Sequence, residues 1–249
     1  MMHRIPSAGL ALALAALAPL AQAGDPLSYA VNEEAFEGYL ALPEGEARGG
    51  VLIIHDWDGL NGYERRRAEM LAEQGYAAFA VDLFGAGHRP ETLEARRAAT
   101  GALYQDRARM RDLLLAGLAA ARDQGLPEAS VVIGYCFGGA AALELARSGS
   151  AEGIHGYVSF HGGLATPEGQ AWPEDAPPLL IAHGGADTAI PMSEVATLVE
   201  ELEAAGLTYE LQVYSGAPHA FSVFDSDSYQ ARADEQSWAA FLDFLDEVL

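Results

Sequence analysis

The stretch Ser130-Val-Val-Ile-Gly-Tyr-Cys136-Phe-Gly-Gly139 decides the fold of this chain. An apolar run leads into a glycine-flanked cysteine, and a run of small residues, Ala140 to Ala142, follows directly. Short continuous apolar runs are typical of buried strands in a parallel sheet. The stretch therefore predicts a buried strand, a sharp turn at Cys136 and a helix that begins immediately after the turn.

The same alternation of apolar runs and helical segments recurs along the chain. Strands are predicted at 36–42, 51–54, 77–81, 130–135, 156–160, 179–182 and 208–214. Helices are predicted at 63–74, 92–124, 140–147, 192–205 and 229–249, and the second could break at Gly101 or Gly117. This order indicates βαβ units and a mainly parallel sheet with helices on both faces. In such an α/β fold, functional residues lie on loops at the carboxyl ends of the strands.

Composition narrows the functional classes. The 249-residue chain has 14 arginines, no lysine, and 36 aspartates and glutamates, which gives a formal net charge of −22. Such an acidic chain should repel nucleic acid and anionic membranes, since phosphate binding requires clustered lysine or arginine. Half of the residues are hydrophobic and 20% are charged, which excludes a disordered chain and predicts a sizeable core.

The N-terminus has the pattern of a cleavable secretory signal peptide. A short basic start precedes an apolar run over 8–21, which is shorter than the ~20 residues that a membrane-spanning helix needs. Ala21-Gln22-Ala23 fits the rule for a cleavage site. We therefore expect residues 1–23 to be removed and 24–249 to form a single domain. The mature protein is expected to be periplasmic or secreted, without a membrane anchor.

The arrangement Gly134-x-Cys136-x-Gly138 has the form of a nucleophile elbow with cysteine in place of serine. Glycines on both sides leave room for neighbouring backbone at the strand-to-helix turn. The N-terminus of the following helix would favour the thiolate, which is the reactive form of cysteine. A lone glycine-flanked cysteine is a weak signal, since most single cysteines are buried small hydrophobes. Its position between a strand and a helix favours the catalytic interpretation.

Candidate partners follow in the order that enzymes with this elbow use, which is nucleophile, acid, histidine. Asp187 and His219 each follow a predicted strand. His219 would take the thiol proton, and Asp187 would hold the imidazole in the required tautomer. The competing interpretations are that Asp187 only caps the turn before Pro191 and that His219 is an ordinary loop histidine. His55 is the closest competitor for the role of base.

Acyl transfer also requires hydrogen-bond donors for the negative charge that develops on the substrate oxygen. The backbone N–H of Phe137, directly after the nucleophile, is one candidate, and an N–H near Trp57 in an earlier loop is the other. Other chemistries fit poorly. The chain has no lysine for a phosphate-binding loop, no histidine pair at the spacing of a zinc-binding helix and no complete dinucleotide fingerprint. We therefore expect neither a metal nor an organic cofactor.

These motifs together resemble the dienelactone hydrolase family of α/β-hydrolases. The matching stretches are residues 55–61, 74–84, 134–139, 183–187 with Pro191, and 216–221. The resemblance implies an α/β-hydrolase fold, a Cys136–His219–Asp187 triad, and an oxyanion hole from the amides of Trp57 and Phe137. The family also keeps a glutamate near the resting cysteine, and Asp56 occupies that place here.

The resemblance also implies how a substrate would bind. Well-known members of the family hold the carboxylate of a lactone through two arginines. Arg89 is the nearest candidate for one, and Ser222 and Val223 stand at the position of the other. Phe84 and Phe221 lie beside these positions and are expected, with Arg89, to contact the substrate. Because at least one arginine is missing and aromatic side chains surround the cleft, neutral esters are expected to be preferred.

The sequence therefore predicts a hydrolase that cleaves small carboxylic esters or lactones through a thioester on Cys136. Two other functions are consistent with the same residues. One is a non-hydrolytic binding or thiol-sensing protein on a hydrolase scaffold, and the other is an acyltransferase with the same triad.

Overall fold

A central sheet of eight strands organises residues 23–249, the part of the chain that the computed structural model describes. The strands are β1 (Asp25–Val31), β2 (Glu34–Ala41), β3 (Gly50–Ile54), β4 (Ala77–Val81), β5 (Ser130–Tyr135), β6 (Ile154–Phe160), β7 (Leu179–Gly184) and β8 (Tyr209–Tyr214). Their spatial order is β1-β2-β4-β3-β5-β6-β7-β8. The β1–β2 and β2–β4 pairs are antiparallel and the others are parallel, which confirms the mainly parallel sheet.

Helices cover both faces of this sheet, as expected. They are α1 (Gly62–Glu73), α2 (Leu93–Gln105), α3 (Arg107–Asp123), α4 (Phe137–Ser148), α5 (Met192–Ala205) and α6 (Ala231–Val248). Leu71 of α1 and Phe241 of α6 belong to the core on one face. Leu114 of α3, Leu145 of α4 and Leu198 of α5 belong to the core on the other. Within residues 23–249, no helix is both long and apolar enough to cross a membrane.

The break between α2 and α3 differs from the expectation. It lies at Asp106, whose side chain accepts a hydrogen bond from the backbone N–H of Arg109 at 2.9 Å and so caps α3. Gly101 and Gly117 lie inside the helices. A Cβ on Gly117 would come within 2.4 Å of a methyl carbon of Val81, so this glycine permits close packing of α3 on the sheet.

The sheet brings the predicted functional loops to one edge. β3, β5, β7 and β8 run parallel, so their carboxyl ends point the same way. The loops that follow these four strands carry, in that order, Trp57, Cys136, Asp187 and His219. The predicted signal peptide, residues 1–23, lies outside the described residues except for Ala23, and it remains a prediction.

Candidate active site

Cys136 occupies a strained turn between β5 and α4. Its backbone has φ 51° and ψ −110°, a conformation that a non-glycine residue adopts only where the surrounding structure enforces it. The flanking glycines are required by space. A Cβ on Gly134 would lie 2.0 Å from the carbonyl oxygen of Gly138, and one on Gly138 would lie 2.2 Å from that of Ile54. The turn therefore holds the cysteine sulfur in a fixed position above the sheet.

The structure brings Cys136, His219 and Asp187 into one hydrogen-bonded series. The Sγ of Cys136 lies 3.1 Å from Nε2 of His219, and Nδ1 of His219 lies 2.8 Å from Oδ2 of Asp187. Oδ1 of Asp187 accepts the backbone N–H groups of Ala189 and Ile190, so this side chain also shapes its own turn. A carboxylate at Nδ1 places the histidine proton there, and Nε2 is left to accept the proton of the thiol.

His55, the competing base, is held in another role. Its Nδ1 lies 2.6 Å from the carbonyl oxygen of Asp56, and its Nε2 accepts the backbone N–H of Leu83 at 3.2 Å. Complete burial lowers the pKa of His55 to about 4. Both ring nitrogens are engaged with backbone groups, so His55 links two loops of the scaffold.

The residues that carry the two candidate oxyanion donors line the same cavity as Cys136, but one donor already has a hydrogen-bond partner. The backbone N–H of Phe137 interacts with Cys136 and lowers the pKa of its thiol. The backbone N–H of Trp57 donates to Oδ1 of Asp56. Asp56 also reaches the Cys136 thiol, which is the place that the resemblance implies for it. The carboxylate of Asp56 therefore accepts from one of the two N–H groups that would bind the oxyanion.

The surroundings of Cys136 disfavour its thiolate. Burial raises the pKa of Cys136 well above its ordinary value, and the negative charge of Asp56 raises it further. Burial also raises the pKa of Asp56 to about 6. The favourable effect expected from the N-terminus of α4 is therefore outweighed by burial and by the neighbouring carboxylate.

Glu64 is a buried acid of this site that the sequence analysis missed. Its Oε2 accepts the backbone N–H of Asn61 at 2.9 Å and its Oε1 accepts that of Asp56 at 3.3 Å. Asn61 caps α1 in return, so the two form a capping box. The spacing Asn61-x-x-Glu64 is typical of a capping box at the start of a helix and could have identified Glu64 from the sequence. Burial raises the pKa of Glu64 to about 7, close to neutral pH.

Glu64 should make stability depend on pH. Its pKa is 4.5 ordinarily and about 7 in the fold, so the folded protein binds more protons between these values. The free energy of unfolding should therefore fall as pH rises from about 4.5 to 7, on the order of 3 kcal/mol from this group. We expect the melting temperature of Glu64→Gln to fall less than that of the parent between about pH 5 and pH 8.

The matched control is Glu73→Gln, which removes the same charge from an exposed position on the same helix. It should melt with the pH dependence of the parent. Equal pH dependence in the parent and in Glu64→Gln would contradict the role given to Glu64.

The sulfur of Cys136 opens onto a cavity of about 480 Å³. Asp56, Trp57, Phe137 and His219 are among its lining residues, as expected. The lining residues that the sequence analysis did not select are Thr100, Tyr104, Gly163, Ala189, Ile190, Ala220 and Ser228. Of these, Tyr104 is a large aromatic residue that α2 leaves partly exposed, and it packs edge-on against Phe137. No arginine lines this cavity within residues 23–249.

The expected contacts at Phe84 and Phe221 are corrected by the structure, because neither ring lines the cavity. Phe221 has no exposed surface and packs against Tyr214 in the core. Phe84 is half-buried and packs edge-on against His55, with the two ring centres 4.6 Å apart.

Arg89 is also corrected, since its guanidinium is used to hold the loop. Nε donates to the carbonyl oxygen of Leu60, Nη1 donates to that of His88 at 2.8 Å, and Nη1 lies 3.5 Å from the carboxylate of Asp82. Arg89 faces a separate cavity of about 670 Å³, which shares Asp56 with the first. It does not line the cavity that contains the sulfur.

Comparison with known proteins identifies the family. The sequence profile of the dienelactone hydrolase family matches residues 36–249. The chain is 31% identical over 204 residues to carboxymethylenebutenolidase of Pseudomonas putida, covering 78% of this chain and 84% of the relative. It is 25% identical over 209 residues to carboxymethylenebutenolidase of Rhodococcus opacus, covering 80% and 81%.

A solved structure agrees over nearly its whole length. The dienelactone hydrolase-like promiscuous phosphotriesterase P91 from metagenomic libraries superposes with a TM-score of 0.82 at 27% identity, covering 90% of this chain and 98% of that protein. The shared architecture is the α/β-hydrolase fold. The chain belongs to the dienelactone hydrolase family and is a carboxylic ester hydrolase.

Proposed function

We propose that the protein hydrolyses small, uncharged carboxylic esters or lactones with Cys136 as nucleophile, His219 as general base and Asp187 as the residue that orients the base. The observation that carries this proposal is the continuous contact from Asp187 through His219 to the sulfur, at the wall of the cavity. This arrangement matches the requirements for an activated nucleophile.

Acylation follows from these contacts. The thiol proton moves to Nε2 of His219 while the sulfur attacks the carbonyl carbon of the ester. The N–H of Phe137 binds the resulting oxyanion, and the N–H of Trp57 joins it once Asp56 has withdrawn. The carbon–oxygen bond then breaks, His219 returns the proton to the leaving alkoxide, and an acyl thioester remains on Cys136.

Deacylation repeats these steps with water. His219 takes a proton from a water molecule as the water oxygen attacks the thioester carbonyl. The carbon–sulfur bond breaks, the proton on His219 passes to the sulfur, and the carboxylic acid leaves. The thiol of Cys136 is regenerated without any other co-reactant.

The lining of the cavity supports an uncharged substrate. Trp57, Tyr104, Phe137 and Ile190 supply apolar surface, and Asp56 is the one acidic residue among the lining residues within 23–249. Ser222, at the position of the second family arginine, has no exposed surface. A substrate carboxylate would therefore meet a negative neighbour and no arginine among the lining residues.

A matched pair of esters tests this preference. We expect the methyl-capped form of an ester to have at least about tenfold higher kcat/KM than its free-acid form, which corresponds to ~1.4 kcal/mol. The two forms would be compared at fixed ionic strength, because the net charge of the protein also repels anions. A preference for the free acid would mean that an arginine moves into the cavity, and lactones with a carboxylate would become the leading substrates.

Turnover separates the alternatives that share these residues. A hydrolase releases many equivalents of phenol from an activated aryl ester, whereas a thiol sensor releases at most one. An acyltransferase would be faster when an alcohol or amine acceptor is added, and the product would be a new ester or amide.

We further propose that the protein acts outside the cytoplasm as a single domain over 24–249. This rests on the signal-peptide pattern in residues 1–23 alone. Sequencing the N-terminus of the protein expressed with its leader tests it, since cleavage after Ala23 would leave Gly24 first.

A further inference from the structure

A second, buried histidine packs against His219. His161 follows β6 with φ 40°, a left-handed conformation, and has no exposed surface. Its ring packs edge-on against that of His219, with the ring centres 5.4 Å apart and an angle of 68° between the planes. His161 does not line the cavity and so cannot touch a substrate there. Its contact with the reaction is through the ring of His219.

Hydrogen bonds connect His161 to a buried ion pair. Nε2 of His161 lies 2.8 Å from the hydroxyl of Ser222, which lies 2.9 Å from that of Tyr63. The Tyr63 oxygen accepts from Nε of Arg67 at 3.2 Å. Arg67 is 1% exposed and forms a salt bridge with Asp234. The series is therefore anchored on a group that remains charged.

Burial and hydrogen bonding restrain the ring of His161. Arginine can only donate, so the Tyr63 oxygen is the acceptor at the Arg67 end of this series. Three successive hydrogen bonds and complete burial leave the ring of His161 little freedom to rotate.

The same arginine holds the loop that carries His219. Nη2 of Arg67 donates to the carbonyl oxygen of Ser222 at 3.0 Å, three residues after His219. The side chain of Ser222 belongs to the series and its backbone belongs to the loop. The position of the loop and the orientation of His161 are thereby linked through one residue.

His161 is suited to stay neutral while its neighbour gains a proton. Burial lowers the pKa of His161 well below its usual value, and the positive charges of His219 and Arg67 act in the same direction. The ring of His161 can therefore pack against His219 whether His219 is neutral or protonated, and it does not compete for the proton of the thiol.

We propose that His161 is a positioning residue that fixes the tilt of the His219 ring toward Cys136, through the series from Arg67, Tyr63 and Ser222. The inference rests on the proposed triad and names a residue outside it. It concerns the rate of the chemical steps and leaves the binding of substrate unchanged, because His161 is absent from the cavity wall.

Two substitutions interrupt the series at different points. His161→Phe keeps an aromatic ring against His219 and removes the nitrogen, and Ser222→Ala removes the hydroxyl without touching His219. We expect each to lower kcat for an aryl ester by about tenfold while KM stays within about twofold of the parent. Both substitutions act through one series of hydrogen bonds. The kcat of the double variant should therefore be no lower than that of the less active single variant.

The control is His155→Phe, which makes the same substitution at an exposed position on β6, the strand that precedes His161. This variant should keep the kcat of the parent. The rate at which iodoacetamide alkylates Cys136 gives a second readout that is independent of ester turnover, and it should fall in His161→Phe and Ser222→Ala only.

Two results would overturn the proposal: a kcat for His161→Phe within about twofold of the parent, or single effects that multiply in the double variant. If His161→Phe does not fold, Ser222→Ala and its alkylation rate decide the question alone. Failure of the triad itself would look different, because Cys136→Ala would then retain turnover.

Discussion

Cys136→Ala is expected to lower kcat/KM for an aryl ester by at least ~10³, because the thiol of Cys136 is the nucleophile that contacts Nε2 of His219. The change removes only a sulfur atom from a turn whose backbone is set by its neighbours, so the fold should survive. Initial rates of phenol release, measured with the parent at the same concentration, give the result.

Cys136→Ser is the matched control, since it keeps a nucleophile in the same position. The hydroxyl is harder to deprotonate than the thiol, so an activity between those of the parent and Cys136→Ala is expected. Unchanged melting temperatures would show that both variants are folded. Residual turnover of Cys136→Ala within about tenfold of the parent would remove Cys136 from the mechanism.

His219→Ala is expected to lower the rate by at least ~10², the usual loss when a general base is removed. The side chain of His219 is 26% exposed, so its removal should cost little stability. The same assay measures the effect, and adding imidazole to the buffer should restore part of the rate of this variant by supplying a base in the vacated space.

His88→Ala provides the control, because His88 is an exposed histidine outside the cavity. Its activity should match that of the parent. If His55→Ala were folded and as inactive as His219→Ala, the base would have to be reassigned to His55, although both of its nitrogens contact backbone groups.

The sequence predicted those parts of the site that depend on local sequence patterns and on the order of the strands. The strand, turn and helix around Cys136 follow from an apolar run and from two glycines that have no space for a Cβ. Asp187 and His219 could be selected because parallel strands end at one edge of a sheet, so residues far apart in sequence meet there. The side chain of Asp187 makes the contacts that both interpretations require, since Oδ1 accepts the N–H of Ala189 in its own turn and Oδ2 lies 2.8 Å from Nδ1 of His219.

The parts that the sequence did not predict depend on tertiary packing. Phe221 is two residues from His219, yet its ring points into the core, and no local pattern distinguishes the two directions. Arg89 is used by the carbonyl oxygens of its own loop. β1 was missed because its alternate residues are exposed and Asp25, Pro26 and Ser28 interrupt any apolar run. The pKa of Cys136 depends on burial and on Asp56, which a helix-dipole argument does not include.

The positions in the turn around Cys136 differ sharply in the substitutions that they tolerate. At Gly134 and Gly138 even one added carbon would press on backbone atoms, and backbone cannot be moved without shifting β3 or the start of α4. The side chain of Cys136, in contrast, lies at the wall of the cavity, so replacing its sulfur with oxygen displaces no backbone atom. Evolution can therefore exchange the reacting atom while the surrounding chain stays fixed. On this scaffold, the chemical identity of the nucleophile is easier to change than the bend that presents it.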